Sequence, residues 1–221
     1  MAPPMTSDAG WRGALRAGGL LGGCALVMLG LVWVTIEWTE PRMARHRERD
    51  RLAQVQEIAG PATTAPGALR FLTLSAAGEL HQNAPFTAYQ IIVDERVDAV
   101  VLPAVAPDGY SGQIELLVGI DAEGRIRGVR VTRHHETAGL GDRIDRARST
   151  WITQFDGRSL GNPPEERWNV RKDGGAFDQI TGATLTPRAV IHAVAAALKY
   201  FRQHREKLLA LAPAPEPVES P

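Results

Sequence analysis

The feature that most constrains this chain is a run of twenty residues, from 17 to 36, without a charged side chain. At about 1.5 Å of rise per residue, a helix of this length is about 30 Å long, which matches the hydrocarbon core of a bilayer. Trp33 and Trp38 lie toward one end of the run, where interfacial aromatic residues are common. The pattern predicts a single transmembrane helix at 17–36.

A cleaved signal peptide is the alternative interpretation of the same run. Leu21-Gly22-Gly23-Cys24 resembles a lipoprotein cleavage box. A signal peptide has its apolar core before the cleavage site, whereas the strongest apolar stretch here follows Cys24. The transmembrane interpretation is therefore preferred to a signal peptide or a lipid anchor.

The basic residues around this run bear on its orientation. Arg12 and Arg16 precede it, and five arginines follow it between residues 42 and 51. Counting basic residues alone, the positive-inside rule predicts that the large domain after the run lies in the cytoplasm.

Composition excludes several classes of function. The formal net charge is zero, so no basic excess indicates nucleic-acid binding. The single cysteine cannot form an internal disulfide or supply an all-cysteine zinc or iron–sulfur site. His134 and His135 are adjacent in a predicted strand and point to opposite faces, so no metal site is predicted there. Redox chemistry in this chain would need a cofactor held by other means.

The remaining sequence predicts one α+β domain after the helical anchor. Alternating β-branched segments at 88–93, 97–102, 114–120 and 126–132 predict two antiparallel hairpins. Apolar residues at helical spacing predict helices over 143–155 and 187–209 that pack on this sheet. The predicted segments are a polar N-terminus (1–16), the transmembrane helix (17–36), a stalk helix and linker (37–68), the sheet domain (69–209) and a disordered Pro-rich tail (210–221).

A small-residue turn before the last helix carries the main chemical signal. The stretch Asp178-Gln179-Ile180-Thr181-Gly182-Ala183-Thr184 presents a threonine hydroxyl, and Gly182 and Ala183 keep bulk away from it. Thr186-Pro187 is typical of a helix N-cap followed by a first helical residue. A helix N-terminus favours an anion, so an anionic group close to this turn would be stabilised there. A plain strand-to-helix turn is the simpler alternative.

The order and spacing of several segments resemble a known family. The turn resembles the D-x-x-[ST]-G-A-T signature at which bacterial flavin transferases attach FMN to threonine. Four further segments resemble the FMN-binding domain shared by the G subunit of the Rnf complex and the C subunit of the sodium-translocating quinone reductase: Gly109-Tyr110-Ser111-Gly112, the hairpin from Gly119-Ile120-Asp121 to Gly124, His135-Glu136-Thr137-Ala138-Gly139-Leu140-Gly141 and Lys172-Asp173-Gly174-Gly175-Ala176-Phe177. The chain departs from the family at Ala138, where a proline is usual.

The resemblance implies a covalent flavoprotein. FMN would be joined to Thr184 through a phosphoester made by a flavin transferase, and no catalytic residue or metal ligand is implied. The other residues implied to bind the cofactor are Asp178, Thr181, Gly182, Ala183, Glu136, Thr137, Leu140, Gly141, Lys172 and Gly175. Glu136 and Thr137 would contact the edge of the isoalloxazine ring.

The resemblance also implies a setting for this site. The chain would be an electron relay that contacts the other subunits of an Rnf-type ion-translocating ferredoxin/NADH oxidoreductase in the bacterial inner membrane. Its FMN domain would lie on the periplasmic side, against the orientation that basic residues favour. A relay subunit of another membrane reductase and a non-redox membrane-anchored assembly module are the alternatives.

Overall fold

The structure is a computed structural model that describes residues 8–60 and 67–212, and the chain divides into two compact units, 1–50 and 51–221. The first residues of the predicted polar N-terminus, most of the predicted linker loop and most of the predicted tail lie outside the described residues.

One continuous helix, α1 (Asp8–Ala59), covers the predicted transmembrane segment and the predicted stalk, and it begins inside the predicted polar N-terminus. Only part of the 17–36 run has described side chains, and the large apolar ones among them are exposed. Within the portion of the chain that is described, no helix is both long enough and apolar enough to cross a membrane.

The domain after α1 is built on a five-stranded antiparallel sheet in which sequence neighbours are also spatial neighbours. This confirms the predicted α+β class and both predicted hairpins, whereas the first strand was not predicted. The strands are β1 (Leu69–Leu74), β2 (Phe86–Val93), β3 (Arg96–Ala106), β4 (Ile114–Asp121) and β5 (Ile126–Arg133). Two α-helices follow, α2 (Leu185–Gln203) and α3 (Arg205–Leu209), and short 3₁₀ helices lie at Gly78–Leu80, Gly141–Ile144, Trp151–Phe155, Glu165–Arg167 and Arg171–Asp173.

Turn geometry explains the tight hairpin between β2 and β3. Asp94 and Glu95 have φ angles of 49° and 61°, the left-handed pair that a two-residue connection requires. Aspartate and asparagine are among the few non-glycine residues that adopt this conformation at low cost, which suits Asp94. The hairpin fixes the register, because Val93 pairs with Arg96 immediately beside the turn.

The two faces of the sheet are buried by different helices. On one face, Val190, Val194 and Phe201 of α2 belong to the main hydrophobic core together with the inward side chains of β3, β4 and β5. On the other face, Val55 and Ile58 from the last turns of α1 form a smaller core with side chains of β2, β3 and β4. The end of the predicted stalk is therefore part of the domain's own core.

A pair of glycines makes room for α1 on the sheet. Gly119 of β4 and Gly128 of β5 lie directly opposite each other. A Cβ atom on Gly119 would lie 2.2 Å from Ile58 Cγ2, far inside van der Waals contact. Nearby, Arg130 donates to Glu57 Oε1 at 2.8 Å, and this hydrogen bond lowers the pKa of Glu57 below its ordinary value.

The predicted helix over 143–155 is wrong. The segment forms two separate 3₁₀ helices instead. Ser149 Oγ donates to the Arg143 carbonyl at 2.7 Å and accepts from the Trp151 N–H at 3.0 Å, while Asp145 Oδ1 accepts from the Ala147 N–H at 3.0 Å. Such side-chain bonds to the local backbone compete with the helical hydrogen-bond ladder.

The predicted 187–209 helix is present as α2 and α3, with a break at His204. A buried glutamine of β2 holds the chain beyond α3 on the sheet. Gln90 Nε2 donates to the carbonyls of Leu208 and Ala210 at 2.8 and 2.7 Å, and Gln90 Oε1 accepts from the Ala212 N–H at 2.9 Å. This buried amide side chain thus uses both of its N–H donors and one of the two lone pairs of its oxygen.

Candidate functional site

A cleft of about 470 Å³ lies where the β3–β4 loop, the loop after β5 and the turn before α2 meet. The first two come together because β4 begins beside the end of β5, with Glu115 paired to Arg133. The volume falls within the range of about 300–1,000 Å³ that is usual for small-molecule sites. The lining residues are Tyr110, Glu136, Thr137, Leu140, Gly141, Gly182, Ala183, Thr184, Leu185 and Thr186.

Thr184 lies at the N-cap of α2 and is half-buried in the wall of the cleft. Its side chain makes no capping hydrogen bond, so the hydroxyl does not serve the helix end. The sequence pattern predicted the N-cap at Thr186, and this was wrong: the helix begins earlier, at Leu185, with Thr184 as its N-cap. The backbone N–H groups of Leu185 and Thr186, in the first turn, have no acceptor within the helix and favour an anion near Thr184.

The turn before Thr184 needs a small residue for two reasons. Gly182 has a φ angle of 85°, which costs any other residue conformational strain. A Cβ atom at this position would also lie 3.1 Å from Cδ2 of Leu140. Leu140 is 43% exposed and lies across the cleft, so Gly182 keeps space open between this side chain and Thr184.

A buried carboxylate holds the three walls of the cleft together. Glu136 Oε2 accepts from the Thr186 hydroxyl at 2.6 Å, and Glu136 Oε1 accepts from the Ser111 N–H at 3.0 Å. The Glu136 N–H donates to His134 Nδ1 at 3.1 Å. A Cβ atom on Gly141 would lie 2.7 Å from Glu136 Oε2, so only glycine fits beside the carboxylate.

The structure brings seven of the eleven predicted site residues together at the cleft. These are Thr184, Gly182, Ala183, Glu136, Thr137, Leu140 and Gly141. Thr181 and Lys172 are exposed and do not line it.

The other two predicted residues have contacts that explain them without a ligand. Asp178 is exposed outside the cleft, and its carboxylate pairs with Arg171 Nε at 2.9 Å. Gly175 is buried, and a Cβ atom there would lie only 1.8 Å from the Asn169 carbonyl oxygen. Glycine is therefore required here because two backbone segments lie too close together for a side chain.

Three lining residues were not predicted as part of the site. Tyr110 is 69% exposed and belongs to the Gly109–Gly112 segment, which was singled out without a role for its tyrosine. Leu185 and Thr186 immediately follow the candidate acceptor Thr184, and this adjacency in the sequence could have predicted that they line the cleft. The bond between Thr186 and Glu136 joins residues fifty positions apart and leaves no local pattern.

Comparison with known proteins agrees with this geometry. The family described as FMN-binding domain matches residues 109–199, a stretch that contains every residue lining the cleft. The G subunit of the ion-translocating oxidoreductase complex of Pseudomonas aeruginosa (strain UCBPP-PA14) is 48% identical over 200 residues, which cover 90% of this chain and 94% of the relative. The chain belongs to this G-subunit family.

Other members are similar over nearly the same length. The G subunits of the same complex from Shewanella loihica and from Vibrio cholerae (strain ATCC 39541) are 38% and 39% identical, and the alignments cover 90% and 88% of this chain and 94% of each relative. The FMN-binding match and the relatives support an electron-transfer flavoprotein subunit.

The cleft fits FMN on its own observations. The half-buried Thr184 hydroxyl has no capping role, Gly182 and Gly141 leave space that a Cβ atom would fill, and the N–H groups of the helix start follow Thr184 directly in the chain. Thr184 and the start of α2 would hold the phosphate, and exposed lining residues such as Tyr110 and Leu140 would contact the ring system. When bound, FMN would supply one- and two-electron redox chemistry, while the chain binds and orients it.

Proposed function

We propose that this chain is an electron relay that carries FMN bound through a phosphoester to the hydroxyl of Thr184. The observation that carries the proposal is the position of Thr184: a half-buried hydroxyl without a capping bond, in the wall of a cleft and at the start of a nineteen-residue helix. The match of residues 109–199 to the FMN-binding domain family supports the choice of cofactor.

The bond can be made only from an activated flavin nucleotide. Free FMN is a phosphomonoester and would have to lose water, whereas a flavin dinucleotide such as FAD carries the same phosphorus in a pyrophosphate bond. The Thr184 oxygen would form a bond to that phosphorus, the bond to the adenylate would break, and AMP would leave while the hydroxyl proton passes to a base. A separate flavin transferase would supply the donor site and the base.

The setting follows from the relatives. Their names describe one subunit of an ion-translocating oxidoreductase complex, and we propose the same role here, with the other subunits of that complex as partners. Such a complex acts at a membrane, and the uncharged 17–36 run supports a membrane anchor for this chain. We propose that the domain lies on the periplasmic side, and a reporter enzyme that is active only in the periplasm, fused after residue 212, should be active if this is right and inactive if the domain lies in the cytoplasm.

The acceptor is tested by replacing Thr184 with Ala and producing the protein together with a flavin transferase. The wild-type band should fluoresce on a denaturing gel and should carry the mass of one phosphoryl-linked FMN, and Thr184→Ala should lose both. Thr181→Ala is the matched control, because Thr181 lies in the same turn but is exposed and outside the cleft. A fluorescent Thr184→Ala band would refute the assignment, and a wild-type protein of bare polypeptide mass would favour the assembly-module alternative.

A further inference from the structure

We infer that Glu136 and Thr186 form a positioning pair that fixes the first turn of α2 and makes Thr184, not Thr186, the acceptor of FMN. The inference rests on the proposed function. It assigns Glu136 a role different from the flavin contact that the sequence implied, because both carboxylate oxygens are engaged by donors of the chain itself.

The carboxylate of Glu136 has little freedom to move. A Cβ atom on Gly141 would lie 2.7 Å from Oε2, and one on Gly109 would lie 3.0 Å from Oε1. The two glycine backbones therefore enclose the carboxylate from two sides. A buried, confined carboxylate keeps its donors in place, because moving either donor away would leave one buried oxygen without its hydrogen bond.

The two threonines near the helix start differ in the state of their hydroxyls. Thr186 is fully buried, and its hydroxyl already donates to Glu136. Thr184 is half-buried, lines the cleft and makes no capping bond. A hydroxyl must be reachable and able to release its proton to attack phosphorus, and only Thr184 meets both conditions.

Helix geometry links the two residues. With 3.6 residues per turn, positions two apart are rotated by about 200°, so they lie on nearly opposite sides of the axis. Holding Thr186 against Glu136 in the interior therefore turns position 184 away from that carboxylate. In this way Thr186, which is not labelled, directs the hydroxyl of Thr184, which receives the phosphate.

The experiment compares Thr186→Val with Thr186→Ser in unlabelled protein that is then incubated with purified flavin transferase and FAD. Valine keeps the shape but removes the donor, whereas serine keeps the donor. At saturating acceptor protein, we expect Thr186→Val to lower kcat of labelling roughly tenfold or more, the factor that corresponds to losing one charge-assisted hydrogen bond. KM should change little, since the exposed surface is unaltered, and Thr186→Ser should restore most of kcat.

Two further variants complete the design. Thr73→Val should label at the wild-type rate, because Thr73 is exposed on β1, outside both the cleft and the turn that carries the transferase signature. Glu136→Gln should show an intermediate kcat, because its amide offers one acceptor oxygen where the carboxylate offered two, and it serves as the test if Thr186→Val does not fold. Melting temperatures of the unlabelled proteins should fall for Thr186→Val and stay near the wild-type value for Thr186→Ser.

The outcomes separate the two ideas. If the wild-type protein takes no label, the proposed function fails and this inference fails with it. If the wild type is labelled and both Thr186→Val and Glu136→Gln are labelled at the wild-type kcat, the positioning pair is refuted while the proposed function stands.

Discussion

Replacing Gly182 with alanine tests whether the cleft must stay open beside Thr184, the proposed acceptor. The φ angle of 85° places this residue in the left-handed region, where an L-residue with a Cβ atom pays about 1–2 kcal/mol. Part of that strain is offset by about 0.4–1 kcal/mol, because alanine reduces the entropy of the unfolded chain. The net loss of stability should be about 1 kcal/mol, which lowers the melting temperature of a domain of this size by about 2–4 °C.

The second effect of Gly182→Ala is steric and local. The new methyl group would lie 3.1 Å from Leu140 Cδ2, closer than the usual carbon–carbon contact. Leu140 is partly exposed and can rotate, so the contact costs little stability, but the new methyl group itself occupies part of the space between the two walls. We therefore expect FMN labelling to fall several-fold more than the small loss of stability would explain.

Gly157→Ala is the matched control for this prediction. Gly157 has a φ angle of 74° but nothing within 4 Å of a Cβ atom, so it carries the same kind of strain without a steric contact. Thermal melts of the unlabelled proteins should show a similar fall in melting temperature for the two variants. Quantitative gel fluorescence should show less FMN labelling for Gly182→Ala than for Gly157→Ala. Equal labelling of the two variants would refute the reasoning, whether both retain the label or both lose it.

Two predictions concern the fold that supports the site. Gly119→Ala should lower the free energy of unfolding, measured in urea, by about 1–3 kcal/mol, because its methyl group would lie 2.2 Å from Ile58 Cγ2. The control is Gly128→Ala on the opposite strand, which should cost much less because its methyl group would lie 3.7 Å from Ile58. Equal losses of stability in the two variants would contradict the packing of α1 on the sheet. Gln90→Leu should remove the three hydrogen bonds that hold the chain after α3. Because their buried partners are left unpaired, the free energy of unfolding should fall by about 2–3 kcal/mol. The Ala212 amide should exchange its hydrogen faster, and unchanged protection of this amide would contradict the prediction.

The sheet could be predicted because its strands carry their own signals. β2 to β5 are rich in β-branched residues and are joined by short turns, so each hairpin can be identified within about twenty residues of sequence. β1 was missed because it is an edge strand with only Leu74 fully buried, and its alternation is correspondingly weak. Edge strands are commonly short and partly exposed, which leaves little pattern to detect.

The errors arose where side chains form bonds that periodicity does not register. The spacing of Ile144, Trp151 and Phe155 suits a helix, but Ser149 and Asp145 bind the local backbone and divide the segment into turns. Thr186 before Pro187 suits an N-cap, but its hydroxyl is taken by Glu136 from a distant loop. In both cases a polar side chain with more than one possible partner decided the structure.

Part of the candidate site could be predicted because its residues are neighbours in the sequence. Gly182, Ala183 and Thr184 lie in one short turn, so a single local pattern identified all three. Asp178 and Lys172 were grouped with them by proximity in sequence, yet neither lines the cleft. Tyr110 reaches the cleft from the β3–β4 loop, and only the meeting of β4 and β5 at one end of the sheet explains its position.

The proposed covalent tether would account for how open this cleft is. A dissociable cofactor must be held by contacts that enclose most of its surface, whereas Tyr110, Leu140 and Leu185 are 69%, 43% and 49% exposed at the rim. The proposed phosphoester to Thr184 would keep the cofactor at an effective concentration that no set of rim contacts needs to match. The rest of the cleft would then be required only to orient the ring and to hold the acceptor turn, and we assign the second task to Glu136. An open rim also leaves the ring accessible to a redox partner, which is the geometry that a relay requires and that a closed substrate pocket would prevent.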